Sequence, residues 1–521
     1  MSDSQNRSRT TIATIVDERV GEWYFHGLFK GVSDFARESG INLIVPMGVV
    51  MQGPCPLRDL LGKESVDGVL TAAALLTNIE KDPVELSKFF ERYRPLPCVI
   101  TSEAVGNLHC ATINNRAGMG EVVKHLIEVH HFNKIAFIRG PATNQEAEIR
   151  FSAYRDMLYQ HEIAFDPELV ADGNWSHASG ASAIHTLKDR RNCEFQAVVA
   201  ANDDMATGAI EALHARGLHV PTDVAVTGFD NDVSTGFSLT TVNQPIYELG
   251  RRAASMLLDL IHNIDVPRQV TLATELIVRR SCGCFAAQIR ESIAPAAAGG
   301  ARPLAELFAE NRAKILASMT RATGGKLTEV TPEWLELLLS AFEREVIEDK
   351  KGDFLSALDG LLIQKWMEKQ DLATWQSIVS VLRREVLPWL SKVDDAANAE
   401  NIWHQARVLI SEAAQRVHAH NREQHALQTL RLMEVNATYY STDIKSLADA
   451  FARKLPALGI ERCYAVVFEG NEAVPEWARL VLAYDEEEHV ELDPEGQRFP
   501  AKQLIPRDLL PPYRAVTLLA V

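Results

Sequence analysis

Between residues 10 and 281, short runs of β-branched and apolar residues alternate with longer stretches whose apolar positions return every three or four residues. That alternation predicts a parallel α/β architecture. Thr11–Val16, Ile41–Pro46, Gly68–Thr71, Cys98–Thr101, Lys134–Ile138, Ala197–Ala200, Val224–Thr227 and Leu272–Val278 read as strands. His26–Glu38, Arg116–Val129, Asn144–His161, Gly180–Lys188, Asp204–Arg216 and Tyr247–Ile264 read as helices, and the length suits two similar α/β lobes.

The pattern then changes. Residues 290–303, RESIAPAAAGGARP, read as a linker. From Leu304 to about Ser391 the spacing is helical, with Thr331-Pro332-Glu333 as a helix start and Trp334, Leu337, Leu338, Phe342 and Val346 as an apolar face. Trp366, Trp375 and Trp389 are expected to pack between helices. Residues 400–437 read as one long polar helix with a thin stripe: Ile402, Ala406, Leu409, Ala413, Val417, Leu427 and Leu430. Its spacing is coiled-coil-like, interrupted by His420 and Gln424. Two readings stay open: a helix that pairs two chains, or a surface helix of a bundle. Beyond Thr442, an amphipathic helix (Asp443–Leu455) and strands at Cys463–Phe468, Leu480–Tyr484 and Arg514–Val521 are expected. The chain stops inside the last apolar run, which reads as a sheet lacking its final strands and hence as a fragment.

Composition narrows the function classes. The 521 residues, 46% hydrophobic, predict several soluble domains. No apolar run is long enough to span a membrane, and the N-terminus shows no signal peptide, so a cytoplasmic location is expected. A net charge of −17 without a concentrated basic patch argues against DNA contact by this chain itself. Seven scattered cysteines point to reduced thiols. The close pair Cys282-Gly-Cys284 has no second pair or histidine partner following at ligand spacing, so structural thiols and no metal are expected. His130-His131 reads as a helix end favoured by the dipole, and Asp485-Glu486-Glu487-Glu488 as a solvated loop. No G-x-S-x-G, Walker, H-E-x-x-H or Rossmann signature appears, so neither catalysis nor a cofactor is expected.

The most informative stretch is Val220–Pro245, VPTDVAVTGFDNDVSTGFSLTTVNQP. A strand, a Gly-Phe-Asp-Asn turn and a returning loop place a carboxylate and an amide at the carboxyl end of a buried strand, where open α/β sheets bind ligands. This stretch resembles the effector-binding domain of the lac-repressor/galactose-repressor (LacI/GalR) family. The resemblance covers about residues 10–281 through ordered pieces: Val66-Asp67-Gly68-Val69, Asn114-Asn115, His125-Leu126-Ile127, Ile138-Arg139-Gly140-Pro141, Ala201-Asn202-Asp203-Asp204-Met205-Ala206, Gly228-Phe229-Asp230 and Arg279-Arg280-Ser281-Cys282. It implies a two-lobed, periplasmic-binding-protein-like (type I) sensor with a sugar- or nucleoside-like effector held in the cleft.

The same resemblance implies Arg150, Asp230, Asn202, Gln244 and Asn115 as ligand contacts, with Trp23 or Tyr24 stacking on the ligand. Bland alternatives stand beside them. Asp230 suits a turn, Arg150 a surface ion pair, Asn202 a helix cap, and the two aromatics interlobe packing. Only about ten residues precede the first strand, too few for the family's helix-turn-helix.

The residues from 441 on resemble the start of a GAF domain. The expected order is therefore a disordered 1–9, a sensor over 10–285, a linker over 286–303, an all-α region over 304–395, a signalling helix over 396–440 and a truncated α/β GAF-like module over 441–521. The function expected is a ligand-sensing regulator that passes lobe closure to a C-terminal output; the resemblance, whose sensors pair through lobe faces, and the Ile402–Leu430 helix imply a homodimer. The alternatives are the sensory half of a diguanylate cyclase or histidine kinase, a DNA-binding regulator whose DNA-binding domain lies in the missing output, and a solute-binding transport protein.

Overall fold

The computed structural model describes residues 10–15, 22–47, 60–62, 65–72, 90–91, 93–101, 105–232, 236–286, 289, 292, 302–323, 330–348, 350–367, 373–390, 393–436, 463–470, 475–484, 496–504, 506 and 515–519. They divide into two compact units, one holding the described residues up to Cys284 and from Cys463 onward, the other beginning at Phe285.

In chain order the first unit contains β1 (Thr11–Ile15), β2 (Asn42–Met47), β3 (Gly68–Ala72), β4 (Cys98–Thr101), β5 (His109–Ile113), β6 (Ile135–Arg139), β7 (Val170–Asp172), β8 (Ala197–Ala200), β9 (Ala225–Thr227), β10 (Thr241–Asn243), β11 (Gln269–Leu272) and β12 (Glu275–Ile277). It also contains helices α1 (Glu22–Ser39), α2 (Asn115–Glu128), α3 (Gln145–Gln160), α4 (His177–Ile184), α5 (Asp203–His214) and α6 (Ile246–Ile261). One lobe is built on the parallel order β11-β5-β4-β3-β1-β2, the other on β7-β6-β8-β9, with β10 and β12 pairing antiparallel. Strands covered on both faces must be apolar throughout, and β4 and β8 are buried at every position.

The chain passes between lobes after β5, after β10 and between β11 and β12. This corrects the expected single strand Leu272–Val278. Its two halves belong to different sheets, because the backbone crosses at Ala273–Thr274. Among β1 to β12, three strands were not expected: β5, β7 and β10. They are short, and β10 consists of polar-flanked residues that read as a loop. The helix expected over Gly180–Lys188 starts earlier, at His177, and loosens into a π-type turn over His185–Arg190.

Helix α6 is amphipathic. Ile246, Leu249, Ala253, Ala254 and Leu257 form its buried face, which packs on β3, β4 and β5 as well as on α1. The α1–α6 crossing is close because two glycines meet backbone there. A Cβ on Gly31 would lie 2.1 Å from the Tyr247 carbonyl oxygen, and one on Gly250 2.3 Å from that of Leu28.

The second unit is a helical bundle of α7 (Leu304–Ala322), α8 (Pro332–Glu348), α9 (Asp353–Met367), α10 (Ala373–Val386) and α11 (Val393–Asn436). Its core gathers Phe308, Phe342, Phe354, Trp375 and Trp403. The buried Glu345 carboxylate accepts from the backbone N–H groups of Gly352 and Phe354, both at 2.8 Å, and so caps the start of α9. Two expectations are refined. Leu337 points outward, 45% exposed, and the buried face of α8 runs through Leu335, Leu338, Leu339 and Phe342. Ile402, Trp403, Ala406, Ile410 and Ala413 of α11 are buried in their own bundle, so this part of the stripe is intramolecular rather than a pairing seam. The Trp366 side chain lies outside the described residues.

The expectation of a separate module over 441–521 is corrected in part. β13 (Cys463–Glu469), β14 (Trp477–Tyr484) and β15 (Gln497–Pro500) form an antiparallel sheet. Ala478, Leu480 and Phe499 share an apolar cluster with Ala13, Val69 and Ile100 of the first unit. β16 (Ala515–Leu519), the strand expected at Arg514–Val521, does not join that sheet; it adds in parallel to β2. An apolar edge strand offers unpaired backbone groups that another extended segment can satisfy. The expected helix Asp443–Leu455, the N-terminal 1–9 and most of the linker lie outside the described residues.

The glycine contact is open to test. Gly31→Ala is expected to lower stability in urea unfolding by about 1–3 kcal/mol through overpacking against fixed backbone. Gly62→Ala, where a Cβ meets nothing within 4 Å, should change it by less than about 0.5 kcal/mol.

Candidate functional site

The neighbouring strands β6, β8 and β9 end at Arg139, Ala200 and Thr227, and the segments leaving β7, β8 and β9 carry Trp175, Asn202 and Phe229–Asp230. Two interlobe crossings bring Asn115 and Gln244 to the same place. Ligand sites form at such carboxyl edges because helix starts and loop backbones converge there.

Arg150, on the second turn of α3, is the centre of the arrangement. Its side chain is only 4% exposed. Nε donates to Asn115 Oδ1 at 2.7 Å, and Nη1 donates to the Ala201 carbonyl at 2.7 Å. Nη1 lies 3.6 Å from Asp230 Oδ1. The guanidinium sits over the Phe229 ring, 3.8 Å from its centroid, and 5.5 Å from that of Trp175. A planar, weakly hydrated cation suits this half-apolar, half-polar cradle, where an ammonium would not. The surface ion-pair alternative is therefore excluded for Arg150.

Asp230 is held at φ +136° and Asn231 at φ +62°, both in the region that side chains other than glycine's disfavour. Its backbone N–H donates to the Val242 carbonyl at 2.9 Å, and the Gln244 amide donates to its Oδ1. Burial pushes the Asp230 carboxyl well above the usual range; Arg150 opposes that shift and the Asp203 carboxylate adds to it. Asn115 is buried as well, and its amide donates to Glu146 Oε1 at 3.0 Å. Four of the expected residues, Arg150, Asp230, Gln244 and Asn115, thus form one group: two hydrogen-bonded pairs, Arg150–Asn115 and Gln244–Asp230, joined by the Arg150–Asp230 ion pair.

The other three fare differently. Asn202 caps α5, accepting from the Met205 N–H at 3.0 Å, while its amide donates to the Trp175 carbonyl at 3.0 Å. Both ends of its side chain are used by the framework, which favours the cap reading. Tyr24 is half-buried on the first turn of α1 and packs against the main core. Trp23 shares that turn, and its side chain lies outside the described residues.

Sequence reasoning missed Trp175 and Asp203. Trp175, at φ +72°, flanks the guanidinium; an aromatic in the polar loop GNWSHASG was the available signal. Asp203 is 1% exposed. Its Oδ1 accepts from the Thr241 hydroxyl at 2.6 Å and its Oδ2 from the Asp232 N–H at 2.8 Å. Burial raises its pKa to about 6, against the lowering effect of those two bonds. A first-turn aspartate looks solvated in sequence; only the fold covers it.

A second correction concerns the cysteine pair. His125, on the last turn of α2, and His130, just past its end, lie beside Cys282 and Cys284. His125 Nε2 is 3.4 Å from Cys282 Sγ and 3.8 Å from Cys284 Sγ, and His130 Nε2 is 3.4 Å from Cys284 Sγ. The histidine partners exist, but they come from more than 150 residues earlier in the chain, where no local spacing shows them.

Residues 123–282 match the periplasmic binding protein-like domain. Over 289 residues, 53% of this chain and 82% of the relative, the sequence is 31% identical to the HTH-type transcriptional regulator CelR of Thermobifida fusca. The chain belongs to the lac-repressor/galactose-repressor family. Its similarity to another member, the HTH-type transcriptional repressor CytR of Escherichia coli K12, is 31% over 284 residues, 53% of this chain and 80% of CytR. To the HTH-type regulator AscG of the same organism it is 35% identical over 176 residues, so the chain spans about half of that relative, 52%. Among solved structures, the CelR–cellobiose complex matches 53% of this chain and 85% of its own with 29% identity and a TM-score of 0.47. The family's periplasmic-binding-protein-like α/β fold is the one built by β1 to β12. No described helix is long and apolar enough to cross a membrane.

Two features of this arrangement can be tested by unfolding. Arg150→Ala strands a buried carbonyl, an amide oxygen and a carboxylate, and is expected to cost about 2–4 kcal/mol in chemical unfolding. Asp203 keeps its proton to about pH 6 when folded, against roughly pH 3.9 when unfolded. The folded state binds more protons between those values, so its stability falls as pH rises through that window. Urea unfolding at pH 5 and pH 8 should show wild type losing stability relative to Asp203→Asn at the higher pH; a constant difference would contradict the buried acid.

Proposed function

We propose that this chain is a ligand-operated regulator whose two-lobed domain closes on a small sugar- or nucleoside-like effector. One observation carries the reading: a buried guanidinium, a strained carboxylate and two crossover amides converge beside two aromatic faces. Hydroxyl-rich rings need this combination of apolar surface with fixed donors and acceptors. Arg150 and the Gln244 amide donate to an effector, Asp230 accepts from its hydroxyls, and Phe229 with Trp175 supplies the apolar wall. Trp23 or Tyr24, at the carboxyl edge of β1, closes the site from the other lobe.

Asn115 and Gln244 stand on crossings between lobes, so a ligand that binds them better in the closed form shifts the population toward closure. We assign the helical unit as the relay, with α11 beyond Val417 as the segment that pairs two copies. The residues from 441 onward act in this reading as a GAF-like module, the protein works in the cytoplasm, and any DNA contact is made by a segment other than those described. The names of AscG, CelR and CytR as transcriptional regulators support the regulatory role.

The test is calorimetric titration of the full chain with cellobiose, other β-glucosides and a nucleoside set. At least one compound should bind with a micromolar or tighter Kd. Asp230→Asn should weaken it by about 10- to 100-fold, the loss of a charged hydrogen bond, with little change in unfolding free energy. Binding of no compound, or equal binding by the variant, rejects the assignment.

A further inference from the structure

The four side chains His125, His130, Cys282 and Cys284 lie apart from the effector-site residues and serve none of the roles described for them. Their ligand atoms, two imidazole nitrogens and two sulfurs, all lie within 4.8 Å of one another. Zinc bonds of about 2.3 Å to sulfur and 2.0–2.1 Å to nitrogen set tetrahedral nitrogen–sulfur edges of about 3.5–3.6 Å. The three observed nitrogen–sulfur separations, 3.4, 3.4 and 3.8 Å, bracket that edge.

Both halves are held in place by bonds that do not involve a metal. On the histidine side, the end of α2 closes through N–H donation from Val129 to the His125 carbonyl, from His131 to Ile127 and from Phe132 to Leu126. His131 takes φ +56° at that turn, as helix-ending residues do. The His130 ring stacks on Phe132, with centroids 5.3 Å apart. On the cysteine side, Ser281 donates to the Val226 carbonyl at 2.6 Å and accepts from the Thr240 N–H at 2.8 Å. Gly283 at φ +105° turns the backbone between the two sulfurs, and the Gly283 carbonyl accepts from Arg280 Nη1 at 2.5 Å. Such support fixes ligand directions before a metal arrives.

We propose that His125, His130, Cys282 and Cys284 form a structural zinc site that fastens the last segment of the sensor domain to the end of α2. Two thiolates with two neutral imidazoles make a soft, four-donor set that suits tetrahedral zinc. A spread of 4.8 Å or less fits one metal ion, and four protein donors leave no position open for a catalytic water. Binding releases the two thiol protons to solvent and changes no oxidation state. Cys284 is the last residue of the first unit before the chain enters the second.

The experiment uses the untagged full chain, expressed with added zinc and dialysed. Elemental analysis is expected to find about one zinc per chain. Cobalt exchanged for zinc should give sulfur-to-cobalt charge-transfer absorption and the intense visible bands of a tetrahedral centre. Cys284→Ser and His130→Ala should each weaken metal binding in chelator competition by about 100-fold, with circular dichroism checking that each variant is folded. The cobalt titration of wild type tests the proposal even if a variant misfolds. A folded wild-type chain with neither zinc nor cobalt uptake overturns it, as do iron with a visible chromophore or full metal retention in the folded double variant of Cys282 and Cys284.

Discussion

Burial of the Arg150 guanidinium is the constraint around which the carboxyl edge of the β7-β6-β8-β9 sheet is organised. A charge this deep is tolerated only when its donors are matched and its faces are covered. Asn115, the Ala201 carbonyl and Asp230 supply the acceptors, and Phe229 and Trp175 supply the faces. Those partners come from an interlobe crossing, from the ends of β8 and β9 and from the loop after β7. One side chain therefore ties helix α3 to three strand ends and to a segment that crosses between lobes. The strained backbone at Asp230 is stabilised by the same network, since its N–H and both its side-chain neighbours are engaged.

The carboxylates around this centre are graded by environment. Asp230 faces the guanidinium and the Gln244 amide, whereas Asp203 sits behind it, bonded to Thr241 and Asp232. Desolvation raises both pKa values, and the Asp203 carboxylate adds to the rise at Asp230. Negative charge at Asp230 is therefore costly, and the Arg150 guanidinium is the group that offsets it.

Outside the sensor the physics is plainer. The bundle is an aromatic core closed by α11, whose first half is consumed by that core. Its later half carries Val417, Leu427, Leu430, Leu432, Met433 and Val435 in sequence. The chain's last described strand is added to β2, the edge of the sensor sheet, because parallel pairing there satisfies two rows of backbone groups at once.

Local pattern by itself determined most of the elements. The phase of apolar residues decides which face of a helix or strand is buried, and that information is local, so β1, β4, β8 and helices α2, α3 and α6 fall within a few residues of the expected bounds. The ordered motifs also pointed to Arg150, Asp230, Gln244 and Asn115, which meet in one group. Tertiary structure decided the rest. Leu272–Val278 was split between lobes, Asn202 became a cap, Asp203 was covered, α11 was partly enclosed and β16 paired with β2. His125 and His130 reached Cys282 and Cys284 across more than 150 residues. Each of these depends on which distant segment lies opposite. Burial of a polar group or convergence of ligands is a property of two surfaces brought together, and no period within either segment records its partner.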